Sequence, residues 1–597
     1  MAAAPGISRS DFWQPAFAYE TRPDGTVLMR QRAPLGDFHP RLADYFDHWA
    51  DTTPDQSWIA RREAGGAWRR ITYGAARAQV QAIAASLLTM GLGPDRPLLI
   101  LSENSLEHAL LGMACAYVGV PFAPVSPAYS LVSQDHAKLR DIAATLAPGA
   151  LFADDGAAFA PALTAIAREA RQVITLRNDP PGAVTFDSLL AGDPAAARAA
   201  RAALNADTVL KYLFTSGSTG SPKAVINTNG MICASQAMIR DCYRFLVRRP
   251  PVVLDWAPWN HTAAGNKVFY MVTTNGGTYY IDDGRPVAGR FDETLRNLRD
   301  VSCTWYFNVP VGYDMLVTAL ENDPTLAETF FRDLGMMFYA GAGMAQRTWD
   351  RLRAVGRAAT GREVLLATGL GATETAPFAL ACTEIQERSG NVGVPAPGLT
   401  LKLVPNGGKL EARLKGPTIT PGYYADPRKT AEAFDDEGFY RFGDALRPAD
   451  PEDFSKGFFF DGRIAENFKL ATGTWVAVGA VRAAVVDALD GLVRDAVITG
   501  EDRHELGALL LLSDKAQKLE PAALRQALTE RLAAAAGAAT GSAARVRRAV
   551  VLSREPSFDR GEVTEKGSLN QRAMRDGNAD LIARMHVPDP DADVIAV

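Results

Sequence analysis

The stretch Phe214-Thr215-Ser216-Gly217-Ser218-Thr219-Gly220-Ser221-Pro222-Lys223 decides the reading of this chain. It leaves the short apolar run 209–214 as a polar turn, the pattern of a buried strand ending at a loop. Hydroxyl donors, glycines that free the backbone and one lysine converge there, which suits a phosphate cradle. The spacing is not the G-x-x-x-x-G-K-[ST] of the common phosphate loop. As a fragment it also reads as an ordinary polar surface turn. Outward from it, 97–101 and 336–339 are further short apolar runs, and 73–90 and 291–301 have the length of helices. Strands alternating with helices predict an α/β fold with largely parallel sheets.

Bulk properties narrow the function. The 597 residues are 47% hydrophobic and 22% charged with a net charge of -5, ordinary globular composition that argues against a nucleic-acid binder. The five cysteines, Cys115, Cys233, Cys242, Cys303 and Cys382, form no CxxC pair, a pattern of reducing compartments. No HExxH occurs among the seven histidines. The uncharged stretch 109–134 contains Pro121, Pro124 and Pro127, so it reads as a buried helix then a buried strand, not a membrane span. With no basic-then-apolar leader, the expectation is a cytoplasmic protein that uses no membrane.

Pro448-Ala449-Asp450-Pro451-Glu452-Asp453 and Lys456-Gly457 interrupt the pattern. We expect a hinge at 462–466 between a large N-terminal domain (1–462) of layered mixed or parallel sheets and helices, and a small mobile C-terminal α+β domain (463–597). The Ala/Arg-rich stretches 191–206 and 531–549 read as surface helices. The acidic, proline-interrupted tail from His586 reads as loosely packed.

Four more segments follow in order: Gly369-Leu370-Gly371-Ala372-Thr373-Glu374, Tyr440-Arg441-Phe442-Gly443-Asp444 with Asp461-Gly462-Arg463, Phe468-Lys469-Leu470-Ala471-Thr472-Gly473-Thr474-Trp475-Val476, and Glu562-Val563-Thr564-Glu565-Lys566-Gly567-Ser568-Leu569. Each alone has a bland explanation, such as a capped helix start, a Gly-Asp turn or a solvated lysine. Together with 214–223 the ordered set resembles the adenylate-forming superfamily of acyl-CoA synthetases, peptide-synthetase adenylation domains and luciferases. The resemblance spans roughly residues 40–575. It implies ATP, Mg²⁺ and coenzyme A as cofactors and a small carboxylic acid as substrate. It implies that Thr215, Ser216, Gly217, Ser218, Thr219, Gly220 and Lys223 hold phosphates. Gly369, Leu370 and Gly371 would flank the adenine, Thr373 would bond the α-phosphate and Glu374 would hold Mg²⁺. Asp444 and Arg463 would meet the ribose. Lys566 would serve adenylation, and the loop with Lys469 and Gly473 would enter for thioester formation. The chain departs from the family pattern at Leu370, usually aromatic, at Ala465 in the hinge, and at Gly479 and Arg482, where glutamates are common.

Finer resemblance points to bacterial feruloyl-CoA synthetases. It is carried by Ser126-Pro127-Ala128-Tyr129-Ser130, Trp259-Asn260-His261-Thr262, Gly276-Gly277-Thr278-Tyr279-Tyr280-Ile281-Asp282-Asp283-Gly284, Tyr306-Phe307-Asn308-Val309-Pro310 and Thr472-Gly473-Thr474-Trp475-Val476. It implies a hydroxycinnamate or related aryl acid, with His261 at the mouth of the acyl pocket, and Asn260, Asn308, Gly341, Pro377 and Phe378 lining it. Ala263 and Ala264 stand where bulkier residues are expected. A fatty-acid or benzoate ligase, a carrier-protein-loading enzyme and a non-catalytic acyl-adenylate binder stay open as alternatives.

Overall fold

In the computed structural model, which describes residues 8–170, 172–215, 222–564 and 569–597, the 209–214 run is the strand Val209–Thr215. It pairs antiparallel with Lys223–Thr228 at one edge of a seven-stranded sheet. The other strands, among them Phe122–Pro124, Leu98–Leu101 and Ala150–Ala153, run parallel to it. Leu106–Val118 is a helix with every residue buried, which explains its apolar sequence without a membrane. Ser105 caps it by accepting from His108 N, and Thr72 caps Tyr73–Thr89 in the same way through Ala75 N. Among the described residues no helix is long and apolar enough to cross a membrane.

A second sheet holds Val252–Asp255, Thr278–Ile281, Ser57–Arg62 and Trp68–Thr72. Thr304 joins it to three parallel strands, Trp305–Asn308, Met336–Tyr339 and Leu365–Ala367. Its Oγ1 accepts from Val252 N at 2.8 Å and its N donates to Val252 O at 2.9 Å. The C-terminal ends of these parallel strands open onto Asn308, Gly341 and the 369–374 segment, where α/β sheets place ligands. A nine-stranded sheet completes this part, running from Phe17–Thr21 at one edge to Gly369–Leu370 at the other.

The proline-rich break at 448–457 is a turn between two neighbours in that nine-stranded sheet, Tyr440–Pro448 and Phe458–Arg463. After Arg463 comes a short 3-10 turn, Ile464–Glu466. Then Val493–Thr499, Leu506–Leu512, Val546–Val551 and Ile595–Ala596 form their own four-stranded sheet, packed by the helices Val478–Ala488 and Pro521–Ala538. Two expectations are corrected here. The 531–549 stretch is not one surface helix: the helix ends at Ala538, and Val546–Val551 is a strand whose Val546, Ala549 and Val550 are buried. The valines at both ends of Val546–Val551 favour a strand, masked in the sequence by the alanines before it. The tail is not loosely packed either. Ile595–Ala596 pairs with Arg548 and Ala549, Ile595 is buried, and Arg525 Nη2 donates to Val594 O at 2.8 Å. Edge pairing outweighs the acidic composition before it. Arg482, one of the departures from the family pattern, is tied to Asp495 by two bonds.

Candidate active site

The hairpin of Val209–Thr215 and Lys223–Thr228 sets Thr215 opposite Lys223. Ser216, Gly217, Ser218, Thr219 and Gly220, expected to cradle phosphates, lie outside the described residues. Lys223 holds its Nζ 4.7 Å from the Tyr423 ring centroid. Tyr423 reaches it because the 422–424 segment lies along the second strand: Ile226 N donates to Gly422 O at 3.1 Å and Tyr424 N to Ala224 O at 2.9 Å.

The Tyr423 hydroxyl donates to Glu374 Oε1 at 3.0 Å. Glu374 sits in the 3-10 turn Thr373–Thr375 and is buried, with Thr373 half-buried beside it. Burial and the Glu374 charge raise both Tyr423 and Tyr440 above the ordinary phenol range, so both stay protonated donors. Among the described residues no lysine or arginine pairs with Glu374. A buried carboxylate solvated by a phenol and lacking a basic partner has negative charge left for a cation. That fits Mg²⁺, which uses one or two protein carboxylates and completes its shell with water and substrate phosphates. Among the described residues no cluster of three or more potential metal ligands exists.

The turn before Glu374 needs its glycines for space. A Cβ on Gly371 would lie 1.4 Å from Pro377 O, and one on Gly369 2.5 Å from Leu380 O. Gly369–Leu370 is a short strand against Leu380–Ala381, with Leu370 half-buried on the core.

Asp444 and Arg463 face each other across neighbouring strands, with Nε and Oδ1 3.8 Å apart. Burial pushes the Asp444 carboxyl up to about 6, with Arg463 opposing and Glu466 adding to the rise.

The residues expected at the acyl pocket include Asn260 and His261, which lead into the π-helical segment Ala263–Val268, a rare form frequent at functional sites. Both are half-buried. Gly265 N donates to His261 O at 2.8 Å, and a Cβ on Gly265 would lie 2.2 Å from Trp259 O. Ala263 is half-buried and Ala264 buried. Phe378 is buried and Pro377 half-buried. Asn308 is fully buried, and its amide is engaged: Oδ1 accepts from Trp256 Nε1 at 3.1 Å and Val309 N at 2.8 Å, and Nδ2 donates to Tyr306 OH at 2.9 Å. It therefore anchors the strand end. Gly341 is exposed at a positive φ of 93°.

Not every predicted residue joins this group. Lys469 and Gly473 lie on a separate hairpin of Phe468–Lys469 and Trp475–Val476. Lys469 Nζ is 5.0 Å from the Trp475 ring centroid, and Trp475 packs on Gly407, whose added Cβ would be 3.1 Å from the indole. Gly473 has φ +79° and open space around it, so the turn itself requires glycine here. Lys566 lies outside the described residues. Its flanks, Val563 and Leu569, form an antiparallel bridge, and nearby Glu562 is buried and bonded twice by Arg554 at 2.7 Å.

Comparison with known proteins adds an independent finding. The family model for AMP-binding enzymes matches residues 46–424, and that for the AMP-binding enzyme C-terminal domain matches 468–587. The chain belongs to the AMP-binding enzyme family. A relative of this AMP-binding enzyme is the long-chain-fatty-acid–CoA ligase FadD15 of Mycobacterium bovis, 25% identical over 81% of this chain and 83% of its own. Another is a feruloyl-CoA synthase of Amycolatopsis, 25% identical over 63% of this chain and 70% of its own. The solved structure of ATP-bound MatB from Rhodopseudomonas palustris superposes with a TM-score of 0.68 at 21% identity, over 90% of this chain and 99% of that one; it shares the fold.

Two residues at the heart of this AMP-binding enzyme escaped the sequence reading. Tyr423 was hidden because its partner Glu374 is remote in sequence, although Gly422-Tyr423-Tyr424 could have been noticed beside the phosphate hairpin. Lys267, 4% exposed, lies among Trp305, Phe338 and Phe378. A lysine inside the apolar stretch 263–272 was the available signal.

Proposed function

We propose that this AMP-forming CoA ligase activates an aryl acid, ferulate or another hydroxycinnamate, through its acyl-adenylate and passes the acyl group to coenzyme A. The observation that carries the reading is the grouping of Lys223, Tyr423 and the buried Glu374 carboxylate, which has no basic partner among the described residues, at one end of the 209–228 hairpin.

In the first half-reaction a substrate carboxylate oxygen attacks the α-phosphorus of ATP. An O–P bond forms, the bond to the bridging oxygen breaks, and pyrophosphate leaves. Lys223 and Thr215, with the loop that joins them, would hold the phosphates, and Thr373 would donate to the α-phosphate. Mg²⁺ bound at Glu374 supplies Lewis-acid neutralisation of phosphate charge. Asp444, as a carboxylate, accepts from the two ribose hydroxyls, with Arg463 beside it. Lys566 adds a further positive donor. In the second half-reaction the CoA thiol sulfur attacks the acyl carbonyl, a C–S bond forms, the C–O bond to AMP breaks, and the thiol proton is released.

The hairpin with Lys469 and Gly473 stands apart from the nucleotide group. We therefore assign it to the second half-reaction, after residues 463–597 turn about 462–466 as a separate domain. The aryl preference is supported by the aromatic walls at Trp305, Phe338 and Phe378 and by the feruloyl-type segments. Relatives named for fatty acids, 4-coumarate and 3-hydroxybenzoate define the competing substrates. CoA-dependent AMP release should favour hydroxycinnamates over palmitate in kcat/KM. Palmitate turning over faster would overturn the aryl assignment, and product without CoA dependence would overturn the acceptor.

A further inference from the structure

Lys267 is a buried amine without a counter-ion among the described residues. Its Nζ lies 3.1 Å from the Phe338 ring centroid, 5.0 Å from Phe378 and 5.5 Å from Trp305. Among the described residues it makes no hydrogen bond or ion pair, and burial pushes its amine well below the ordinary lysine range. Ring faces recover part of the lost hydration of an ammonium, but an apolar side chain of the same length would fill this cage without incurring that loss. The amine is thus a feature in want of a partner.

Its position says what the partner is. Lys267 lies on the π-helical segment Ala263–Val268, six residues beyond His261 and so more than one helical turn away from it, with Phe378, expected at the acyl pocket, in its cage. The cage is continuous with the nucleotide turn, since a Cβ on Gly369 would lie 3.4 Å from Phe338 Cζ. The residue before Lys267 has an acceptor to spare. Gln236 Nε2 donates to Asn266 O at 2.7 Å, yet Gln236 Oε1 and Asn266 Oδ1 are buried with no donor among the described residues.

We propose that Lys267 reads the far end of the acid, so that the enzyme selects acids carrying an oxygen able to share a proton with the amine opposite the reacting carboxylate. A phenolic hydroxyl and a second carboxylate both have this chemistry. The inference rests on the acyl-pocket assignment above and narrows the substrate class to distally oxygenated acids.

The test compares matched acids in the full-length enzyme with ATP, Mg²⁺ and CoA: 4-coumarate and 4-carboxycinnamate against cinnamate, and adipate against hexanoate. The oxygenated member should exceed its plain partner by ~10²-fold or more in kcat/KM, because a site built to bond a polar group rejects the analogue lacking it. The larger ratio of the two aryl pairs identifies which oxygen is the natural one. In Lys267→Met, which keeps length and apolar packing, the ratio should fall toward one, cinnamate should gain, and the melting temperature should hold or rise. Equal turnover of partners by the wild type, or an unchanged ratio in Lys267→Met, overturns the proposal. Discrimination confined to the adipate pair would retain Lys267 and instead overturn the aryl reading. A Lys267→Met protein that melts early is replaced by Lys267→Leu for the same ratio, and a lower ratio with no gain for the plain acid would mean a structural role, also overturning it.

Discussion

Asp444 shows how one residue's environment writes a pH dependence. Its carboxyl is pushed up to about 6 by burial, while the unfolded chain would hold an aspartate near its ordinary value of 3.8. The folded state therefore binds the proton more tightly. This group's contribution to stability is fully present below the unfolded value and is lost as pH rises through about 6. Nucleotide binding has the opposite sign, because only the ionised carboxylate accepts from both ribose hydroxyls. We predict that adenosine, whose ribose and base do not titrate in this window, binds about tenfold more weakly per pH unit below 6, and that Asp444→Asn binds weakly with no such slope. A wild-type affinity that stays flat from pH 7 to 5 would contradict the ribose assignment. At this scale the motif residues stand out in the sequence because the proposed chemistry asks for their types: a hard oxygen at Glu374, a bidentate acceptor at Asp444, a point charge at Lys223. Tyr423 and Lys267 were not, since a partner met across the fold leaves no local spacing behind.

Among elements, one contact ties the two ends of the chain together. The segment 557–561 lies on the region between the helices Ala128–Leu131 and Ala137–Leu146. Asp559 accepts from Ser133 Oγ at 2.7 Å and from Gln134 N at 3.2 Å. Lys138 Nζ donates to Phe558 O at 3.0 Å, and the Phe558 ring lies 5.6 Å from Tyr129. The contact lies a few residues before Lys566 in the chain, the residue proposed to serve adenylation, so its loss is expected to bear on that step. Asp559→Ala removes a charged acceptor of two bonds, so adenylation, followed by pyrophosphate exchange, should fall about tenfold or more. CoA transfer from supplied acyl-adenylate should be untouched, and equal loss in both half-reactions would show that the contact serves stability alone. Elements with plain periodicity, such as Tyr73–Thr89 and Met336–Tyr339, were readable in advance. Val546–Val551 and the tail strand Ile595–Ala596 were not, because edge pairing with Leu506–Leu512 and Val546–Val551 decides them.

For the whole molecule, Lys469 and Gly473 belong to a two-stranded hairpin of their own, separate from the nine-stranded sheet that holds Asp444 and Arg463. The proposed second half-reaction therefore asks that this hairpin move. The order of motifs along the chain was visible in the sequence, but which of them meet was not, since that depends on how residues 463–597 rest on the remainder. The contact at Asp559 makes the rotation testable. Ser133→Cys with Asp559→Cys places two thiols where the native side chains now touch, and the five native cysteines are all buried, so a short bifunctional thiol reagent should bridge only the new pair. The bridged enzyme is expected to form acyl-adenylate and release about one pyrophosphate per site, then stop, the burst of a stalled intermediate. Each unbridged single-cysteine variant treated with the same reagent should continue to thioester. If the bridged protein makes CoA thioester as fast as the unbridged double variant, residues 463–597 need not turn for the second half-reaction. Lys469 and Gly473 would then have no place in it.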